Sequence, residues 1–542
     1  MFHKPSIAST IVIASRKFCS IFLGNTFLGN TAFLTIAAAL LIFPNAAEAE
    51  SKATGERPNI IVIMADDMGF GDVSCYGATE LKTPNIDDLA TRGLRFTSGY
   101  CSASTCTPTR FSFLTGMYAF RQPGAGIAPP NATSLVKPGT ETIASILKKS
   151  GYSTAVIGKW HLGLGAAPAP DWNGLLKPGP LEIGFDYCFL LPTTNDRVPS
   201  VYVENHRVRN LDPKDPLWVG RKKPSPDHPT GKDPEVRAKL KMNWSHGHNH
   251  TVHNGIGRIG YYTGGKSARW RDEDLADEWV KQSVSWIEKN KDNPFFLFFS
   301  SHDLHVPRMP HERFHGKTKL GFRGDAIAQL DWCVGELVKT LDRLDLTDNT
   351  LIVFCSDNGP VLDDGYQDSA ITKLGKHKPA GQYRGGKYSI YEGGTRTPLI
   401  TCWPKKIKPG VSDKVVCTVD LATSMATLTG QKIPQQAFPD SLNVLPALLG
   451  SADAKGRDHL VQQPNKGPTL ALRIGDWKVL SYATDKPIKS LTYSKGKGKY
   501  ELYNLADDPR EKKNLAKAQP ERLEAMLKKL AAIKEAGRTR PE

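Results

Sequence analysis

The stretch CSASTCTPTRFSFLTG, Cys101 to Gly116, places two cysteines, a proline, an arginine and a closing Thr-Gly in sixteen residues. Taken alone, Cys106 reads as a small loop residue or as half of a disulfide with Cys101, because a cysteine is reactive only where its surroundings favour the thiolate. Other segments supply such surroundings. Asp66 and Asp67 in ADD, with Asp357 and Asn358 in SDNG, offer four hard oxygen donors. That set suits Ca²⁺ or Mg²⁺ and suits Zn²⁺ poorly, although either pair by itself equally suits the caps of unrelated turns. Lys159 and His161 in GKWHLG, His302 and His305 in SSHDLHVP, and Lys387 in YRGGKYSIYEGG add cations and imidazoles. Lys159 and His161, two apart, are expected on one face of an extended segment. A lone lysine is ordinarily a solvated group and a lone histidine a structural one; their joint occurrence with the carboxylates is what points to a site.

These residues need elements to position them. NIIVIMADD, PFFLFFSSHDLHVP and TLIVFCSDNG each read as a hydrophobic strand that delivers polar residues at its C-terminal end, the pattern of buried strands in a parallel sheet. Open α/β sheets bind ligands at that edge, so the three strands define one candidate site. Helical patterns intervene in NIDDLATRGL, ETIASILKKSG, LADEWVKQSVSWIEKN and DAIAQLDWCVGELVKTLDRLDL. The expected fold is a large, doubly wound α/β unit over residues 50–450, with a mixed, mainly parallel sheet and helices on both faces. Residues 199–271 interrupt it with a Pro-, Gly-, Lys- and His-rich insertion, long enough to be a binding loop or lid. After about residue 450, TLALRIGDWKVLSY and KYELYNL read as strands of an antiparallel hairpin and PERLEAMLKKLAAIKEAG as an amphipathic helix. Residues 451–542 are therefore expected to form a small α+β subdomain.

The first 49 residues read differently. No acid precedes Glu48; Lys4, Arg16 and Lys17 are followed by AFLTIAAALLIF and an Ala-x-Ala site at Ala47 to Ala49. This predicts a secretory signal peptide over residues 1–49 and a secreted or periplasmic protein. The apolar run is short for a spanning helix, so no stable membrane span is expected; an uncleaved membrane anchor is the alternative. Cleavage after Ala49 removes three basic residues and one acidic one, lowering the net charge from +16 to +14. A basic surface suits an anionic substrate or matrix. No helix-turn-helix, zinc-finger or stacking-aromatic pattern supports nucleic acid. Of nine cysteines eight lie beyond the signal, without the spacing of a disulfide framework or a metal site. Cys188, Cys355 and Cys402 sit in apolar, strand-like settings.

With these segments in view, the chain resembles the formylglycine-dependent sulfatases, type I and arylsulfatase-like, of the alkaline phosphatase superfamily. CTPTRFSFLTG is similar to that family's Cys-x-Pro-x-Arg-x₄-Thr-Gly signature, and GYSTAVIGKWHLG to its second signature. ADD, SDNG, HVP and GGK…EGG follow the family's order, and LYNLADDPREKKNLA is similar to its usual ending. The resemblance implies that a separate maturation enzyme oxidises Cys106 to formylglycine, whose hydrated aldehyde supplies the nucleophilic oxygen. Attack on a sulfate monoester asks for neutralised oxygens, an activated nucleophile and a protonated leaving group. A helix started at Pro108 would add N–H groups that favour an anion.

Residue by residue, the resemblance implies that Asp66, Asp67, Asp357, Asn358 and the modified Cys106 bind Ca²⁺, with Mg²⁺ the alternative. Arg110 would hold the hydrated aldehyde, and Lys159 and Lys387 would grip sulfate oxygens. His305 would be the acid for the leaving alcohol, Asp357 could accept the nucleophile's proton, and His161 would take the second hydroxyl's proton. Thr194, in LPTTND, would take the place of a sulfate-touching serine. The implied activity is that of a sulfuric ester hydrolase; a phosphodiesterase or phosphonate monoester hydrolase, or an inactive sulfated-glycan binder, is the alternative. Basic composition and polar loops favour a sulfated carbohydrate over a small aryl or steroid ester. The insertion's His246, His248, His250 and His253, beside Arg258, Lys266 and Arg269, read as a sugar-contacting wall or as a second metal site. Arg197 and His248 are the residues expected to contact the sugar.

Overall fold

The computed structural model describes residues 57–482 and 499–541. The expected signal peptide, residues 1–49, lies outside the described residues. The strands of the main sheet are β1 (Asn59–Ala65), β2 (Leu94–Phe96), β3 (Ser153–Lys159), β4 (Tyr187–Leu191), β5 (Val203–Glu204), β6 (Arg207–Val208), β7 (Phe295–Ser300), β8 (Thr350–Ser356), β9 (Leu399–Cys402) and β10 (Gly410–Ser412). They lie in the order β10-β2-β9-β8-β1-β7-β3-β4-β5-β6. The five central strands, β8-β1-β7-β3-β4, are mutually parallel. β9 pairs antiparallel with β8, and β5 antiparallel with β4.

The central strands are apolar throughout because the sheet is covered on both faces. In β1, Ile60, Val62 and Met64 enter one core while Ile61, Ile63 and Ala65 enter the other. Helices α1 (Pro84–Arg92), α2 (Cys106–Thr115), α3 (Ile143–Lys149), α4 (Leu275–Asn290), α5 (Gly321–Arg343) and α6 (Leu421–Leu428) supply the covering layers. Each fully buried Ile, Leu or Phe side chain contributes about 1.5–3 kcal/mol, and the strand carrying Asp66 and Asp67 is therefore held from both sides. Cys188, Cys355 and Cys402 are buried in β4, β8 and β9. Cys101 and Cys106 are both free thiols, so the disulfide reading of the opening stretch does not hold.

The insertion is more ordered than its composition predicts. Its first residues form β5 and β6, which extend the main sheet, and later it folds back so that Ile259 N donates to Asp196 O at 2.8 Å. A second, four-stranded antiparallel sheet consists of β11 (His459–Gln462), β12 (Leu470–Ile474), β13 (Trp477–Ser481) and β14 (Tyr500–Asn504), with α7 (Pro520–Glu535) against it. Among the described residues no helix is long and apolar enough to cross a membrane.

Candidate active site

All five central strands present their C-terminal ends to one edge. From β1 come Asp66 and Asp67, from β8 Asp357 and Asn358, from β7 the segment reaching His305, from β3 Lys159, and beyond β4 the segment holding Thr194. Every one of these residues is buried.

Helix α2 begins at Cys106 itself, with Thr105 at the N-cap and Pro108 two residues inside, so it starts two residues earlier than Pro108 alone suggests. Its first turn brings the thiol under the helix N-terminus, where N–H groups favour negative charge. All ten residues of α2 are buried, and Gly116 ends it at φ 58, donating to Ser112 O at 2.9 Å. Only glycine adopts that left-handed cap without strain.

His161 does not lie on an extended segment with Lys159. β3 stops at Lys159, Trp160 packs into the core at 1% exposure, and His161 takes φ 56. This left-handed turn, rather than strand alternation, brings both side chains into the site. His161 Nδ1 lies 3.2 Å from Cys106 Sγ, and its Nε2 lies 3.0 Å from Ala128 O. A carbonyl only accepts, so Nε2 carries the proton and Nδ1 faces Cys106 as an acceptor. Burial and the nearby Lys159 push the His161 pKa well below its ordinary value, keeping the imidazole neutral. Burial also pushes the Cys106 thiol up, against the pull of Lys159 and Lys387. An unmodified thiol here is therefore not poised as a thiolate.

The acidic cluster has the donor set for a hard cation. Oxygens of Asp66, Asp67 and Asp357 lie within 4.8 Å of one another. Asn358 Nδ2 donates to Asp67 Oδ1 at 2.7 Å, which turns the amide oxygen away from that bond. Asn358 Oδ1 and Asp66 Oδ1 are buried acceptors without a hydrogen-bond partner. Burial, with the charges of Asp357 and Asp67, raises the Asp66 pKa well above the carboxylate range, Lys159 opposing. Unpaired hard oxygens inside a ring of repelling carboxylates fit Ca²⁺ or Mg²⁺.

Cations surround the acids. Lys159 Nζ is paired with Asp66 Oδ2, and Lys387 Nζ with Asp67 Oδ2 at 2.9 Å. Arg110 Nε donates to Asp357 Oδ2 at 2.8 Å and its Nη1 to Lys159 O at 3.1 Å, while Nη2 is left without an aligned acceptor. His305 has Nδ1 2.8 Å from Val306 O, and one of its ring nitrogens lies within 4.8 Å of Asp67 and Asp364 oxygens. His302 is apart from this group, accepting from Trp279 Nε1 at 3.0 Å as a structural histidine.

Thr194, Arg197 and His248 also come together, around a residue that sequence reasoning passed over. Arg197 Nη1 donates to Thr194 Oγ1 at 2.7 Å and to Asp196 at 2.7 and 2.9 Å, and His248 Nε2 meets Asp196 Oδ2 at 3.0 Å. Burial pushes Asp196 up, yet Arg197, His305 and His248 hold it well below the carboxylate range. Gly365, at φ 112, lets His248 in: a Cβ there would sit 1.8 Å from Nδ1. Asp196 lies in the LPTTND segment from which Thr194 was drawn, but nothing in the spacing shows that His248 closes on it. Asp364 was missed too; it pairs with Lys387 at 2.7 Å and accepts from Tyr388 Oη at 3.0 Å. A pair of acids in LDDG beyond SDNG is its only signal.

His246, His248, His250 and His253 do not come together as a second metal site. His246 sits beside Ser245, His250 stacks on Tyr261 with centroids 4.5 Å apart, and His253 meets Trp270 O at 2.6 Å and Tyr262 Oη at 2.9 Å. Only His248 reaches the site.

The sulfatase family model matches residues 58–431, and that of the N-sulphoglucosamine sulphohydrolase C-terminal region matches residues 385–536. An N-acetylgalactosamine-6-O-sulfatase of Bacteroides thetaiotaomicron is 49% identical over 481 residues, covering 88% of this chain and 93% of that protein. Human arylsulfatase H is 32% identical over 439 residues, 74% of each chain. A solved 6S-sulfatase structure from work on glycosaminoglycan metabolism by Bacteroides thetaiotaomicron has a TM-score of 0.85 at 48% identity, covering 89% of this chain and all of that one. The chain therefore belongs to the sulfatase family of the alkaline phosphatase superfamily, and is a sulfuric ester hydrolase.

Proposed function

We propose that this protein removes sulfate from a sulfated carbohydrate, with a 6-O-sulfated N-acetylgalactosamine unit as the substrate class. The observation that carries the reading is the convergence of Cys106, the acidic cluster and two lysines on one sheet edge. The relative at 49% identity, an N-acetylgalactosamine-6-O-sulfatase, supports the sugar.

In this reading a maturation enzyme converts Cys106 to formylglycine, whose hydrate carries one hydroxyl to attack sulfur and a second to release sulfate. Asp66, Asp67, Asp357, Asn358 and residue 106 would hold Ca²⁺, which neutralises sulfate oxygens and acidifies a neighbouring hydroxyl. The chain's own residues do the remainder. Lys159 and Lys387 bind the sulfate oxygens, and Thr194 adds a hydroxyl. Arg110 orients residue 106, and Asp357 accepts the attacking hydroxyl's proton. His161, neutral and with Nδ1 facing residue 106, removes the other hydroxyl's proton. His305, whose Nδ1–H is held by Val306 O, would donate to the leaving alcohol from Nε2 in its protonated form, which burial, Lys387 and Lys159 oppose and Asp196 favours. Arg197 and His248 contact the sugar through the frame that Asp196 makes between them. Residues 50–450 carry this chemistry and residues 451–542 brace it. Residues 1–49 direct the chain to the periplasm or outside the cell.

Mass spectrometry of the peptide containing Cys106, with sulfate release from N-acetylgalactosamine 6-sulfate and 4-sulfate, tests the reading. Formylglycine and preferential release from the 6-sulfate are expected. An intact thiol in a fully active sample would refute the nucleophile, and equal rates on both esters would refute the positional assignment. His248→Ala and Arg197→Ala should each lower kcat/KM on the sugar sulfate by about 10-fold or more, the loss of one charged hydrogen bond. A small aryl sulfate should be affected much less.

A further inference from the structure

A cavity of about 640 Å³ lies beyond the loop that follows the acidic pair, and none of the residues assigned above to sulfate or sugar lines it. Lys376, His377, Lys378, Gln382 and Arg510 surround Phe70 there, and the lining contains no carboxylate. Lys376, Lys378 and Arg510 are exposed, and among the described residues none of the three has an ion-pair partner. Cations gathered on one concave wall without acids focus a positive potential into it, and an anion relieves their repulsion.

The wall is firmly mounted. His377 Nε2 meets Asp72 Oδ1 at 2.8 Å, and Arg323 donates to both Asp72 oxygens at 2.7 and 2.6 Å. Burial pushes Asp72 up, but Arg323 and His377 hold it at about 2. Gly71 N donates to Pro379 O at 2.7 Å, tying the cationic turn to the turn that follows Asp67. Phe70 is half-buried, its ring held edge-on by Tyr76 at 4.6 Å and Tyr383 at 5.0 Å. An aromatic surface beside cations, an amide and an imidazole matches a sugar ring that carries acidic groups. Arg510 comes from beyond β14, so the wall joins the two sheets' regions.

The geometry points to this cavity as a second, non-catalytic binding site for an anionic saccharide unit, sulfated or carboxylated. A polymer longer than the cleaved unit is then held at two places, and the second contact raises affinity through effective concentration. The identity of the polymer rests on the carbohydrate reading above; the charge and shape of the cavity do not.

The test is titration calorimetry in a Cys106→Ala background, which prevents turnover. The probe is a hexasaccharide of alternating glucuronate and N-acetylgalactosamine 6-sulfate. Lys376→Ala/Lys378→Ala/Arg510→Ala should weaken binding about five- to tenfold, as expected for three exposed ionic contacts. Lys517→Ala/Lys528→Ala/Lys529→Ala, which removes the same charge elsewhere, should change it less than about twofold. With Cys106 intact, the cavity variant should raise KM on the hexasaccharide and leave kcat/KM on the monosaccharide sulfate unchanged. Equal loss in both triple variants, or none in the cavity variant, overturns the proposal. So does inorganic sulfate displacing the hexasaccharide's cavity-dependent binding as well as the desulfated, carboxylated hexasaccharide does, because the cavity is then a small-anion site. Absence of hydrolysis on any sulfated sugar by the native protein counts against the proposed function and leaves the binding result to judge the cavity.

Discussion

Two groups of buried acids in this molecule, both ringed by cations, are arranged differently. At the sheet edge Asp66, Asp67 and Asp357 crowd together with two buried acceptors unpaired, and repulsion adds to burial in raising Asp66. Between the main and C-terminal sheets, Lys478 stands between two carboxylates, 2.9 Å from Glu392 and 3.1 Å from Glu511. Arg396 adds to Glu392 at 3.3 Å, and Tyr100 Oη donates to it at 2.5 Å. Burial raises Glu392, yet Lys478, Arg396 and Arg473 draw it down to about 2. Both groups are fully buried. Both groups hold cations, so neither burial nor pairing marks a site by itself; the sheet edge differs in bringing oxygens of three carboxylates within 4.8 Å of one another beside the unpaired Asn358 Oδ1, a donor set open to a cation.

The comparison can be broken by removing one member at a time. The largest effect is expected at the helix start. Cys106→Ala should lower kcat on a sulfated sugar by at least about 10⁴-fold, as loss of a nucleophile does, with the thermal midpoint nearly unmoved. Residual activity near the native level would remove Cys106 from the chemistry.

In the clasp, Lys478→Met leaves Glu392 and Glu511 facing each other without their shared cation. A destabilisation of about 3–5 kcal/mol in urea unfolding is expected, the cost of breaking a buried ion pair. A loss below about 1 kcal/mol would mean that the clasp is not a structural tie.

In the site, Asp66→Asn removes a carboxylate that Asp357 and Asp67 repel but that Lys159 pairs with. The two effects oppose each other, so with chelator present its cost in urea unfolding should be smaller than that of Lys478→Met. Ca²⁺ at a hundredfold excess over its Kd should stabilise the native chain by about 2.7 kcal/mol and should stabilise Asp66→Asn much less. Equal Ca²⁺ stabilisation of both proteins would move the cation elsewhere.

The smallest expected effect sharpens the clasp itself. Burial pushes Glu511 up to about 7 from its ordinary 4.5, with Lys478 opposing. A raised carboxyl pKa contributes stability that is full below the unfolded value and is lost as pH rises through the folded one. The unfolding midpoint should therefore decline between about pH 5 and pH 8, and Glu511→Gln should flatten that decline. An identical slope in the variant would assign the dependence to other groups.

Much of the candidate site at the sheet edge is legible in the sequence. Each strand from NIIVIMADD to TLIVFCSDNG announces itself by an unbroken apolar run, because a strand buried on both faces needs apolar residues at every position. Asp66, Asp67, Asp357 and Asn358 follow directly from where those runs end. His246, His248, His250 and His253 were much less legible. Their side chains diverge to Ser245, Asp196, Tyr261 and Trp270, partners set by long-range folding rather than by spacing. The extended reading of Lys159 to His161 failed for a related reason. Period-two alternation assumes ordinary strand dihedrals, and the left-handed turn at His161 is a local conformation held by the packing of Trp160 and the bond from Thr107 Oγ1 to His161 O at 2.9 Å.

By itself, then, the sequence determined the class of fold, the order of the strands' reactive ends and the chemical types that meet there, because local patterns of hydrophobicity and polar punctuation encode them. Only the tertiary structure decided that Asp196 ties Arg197 to His248, that Asp364 shares Lys387 with Asp67, and that Arg510 joins Lys376 and Lys378 across one cavity. Those juxtapositions bring together residues up to 320 positions apart in one chain. Their cause is the docking of whole elements through non-directional burial of apolar surface, which leaves no trace in the spacing of the polar residues it carries along.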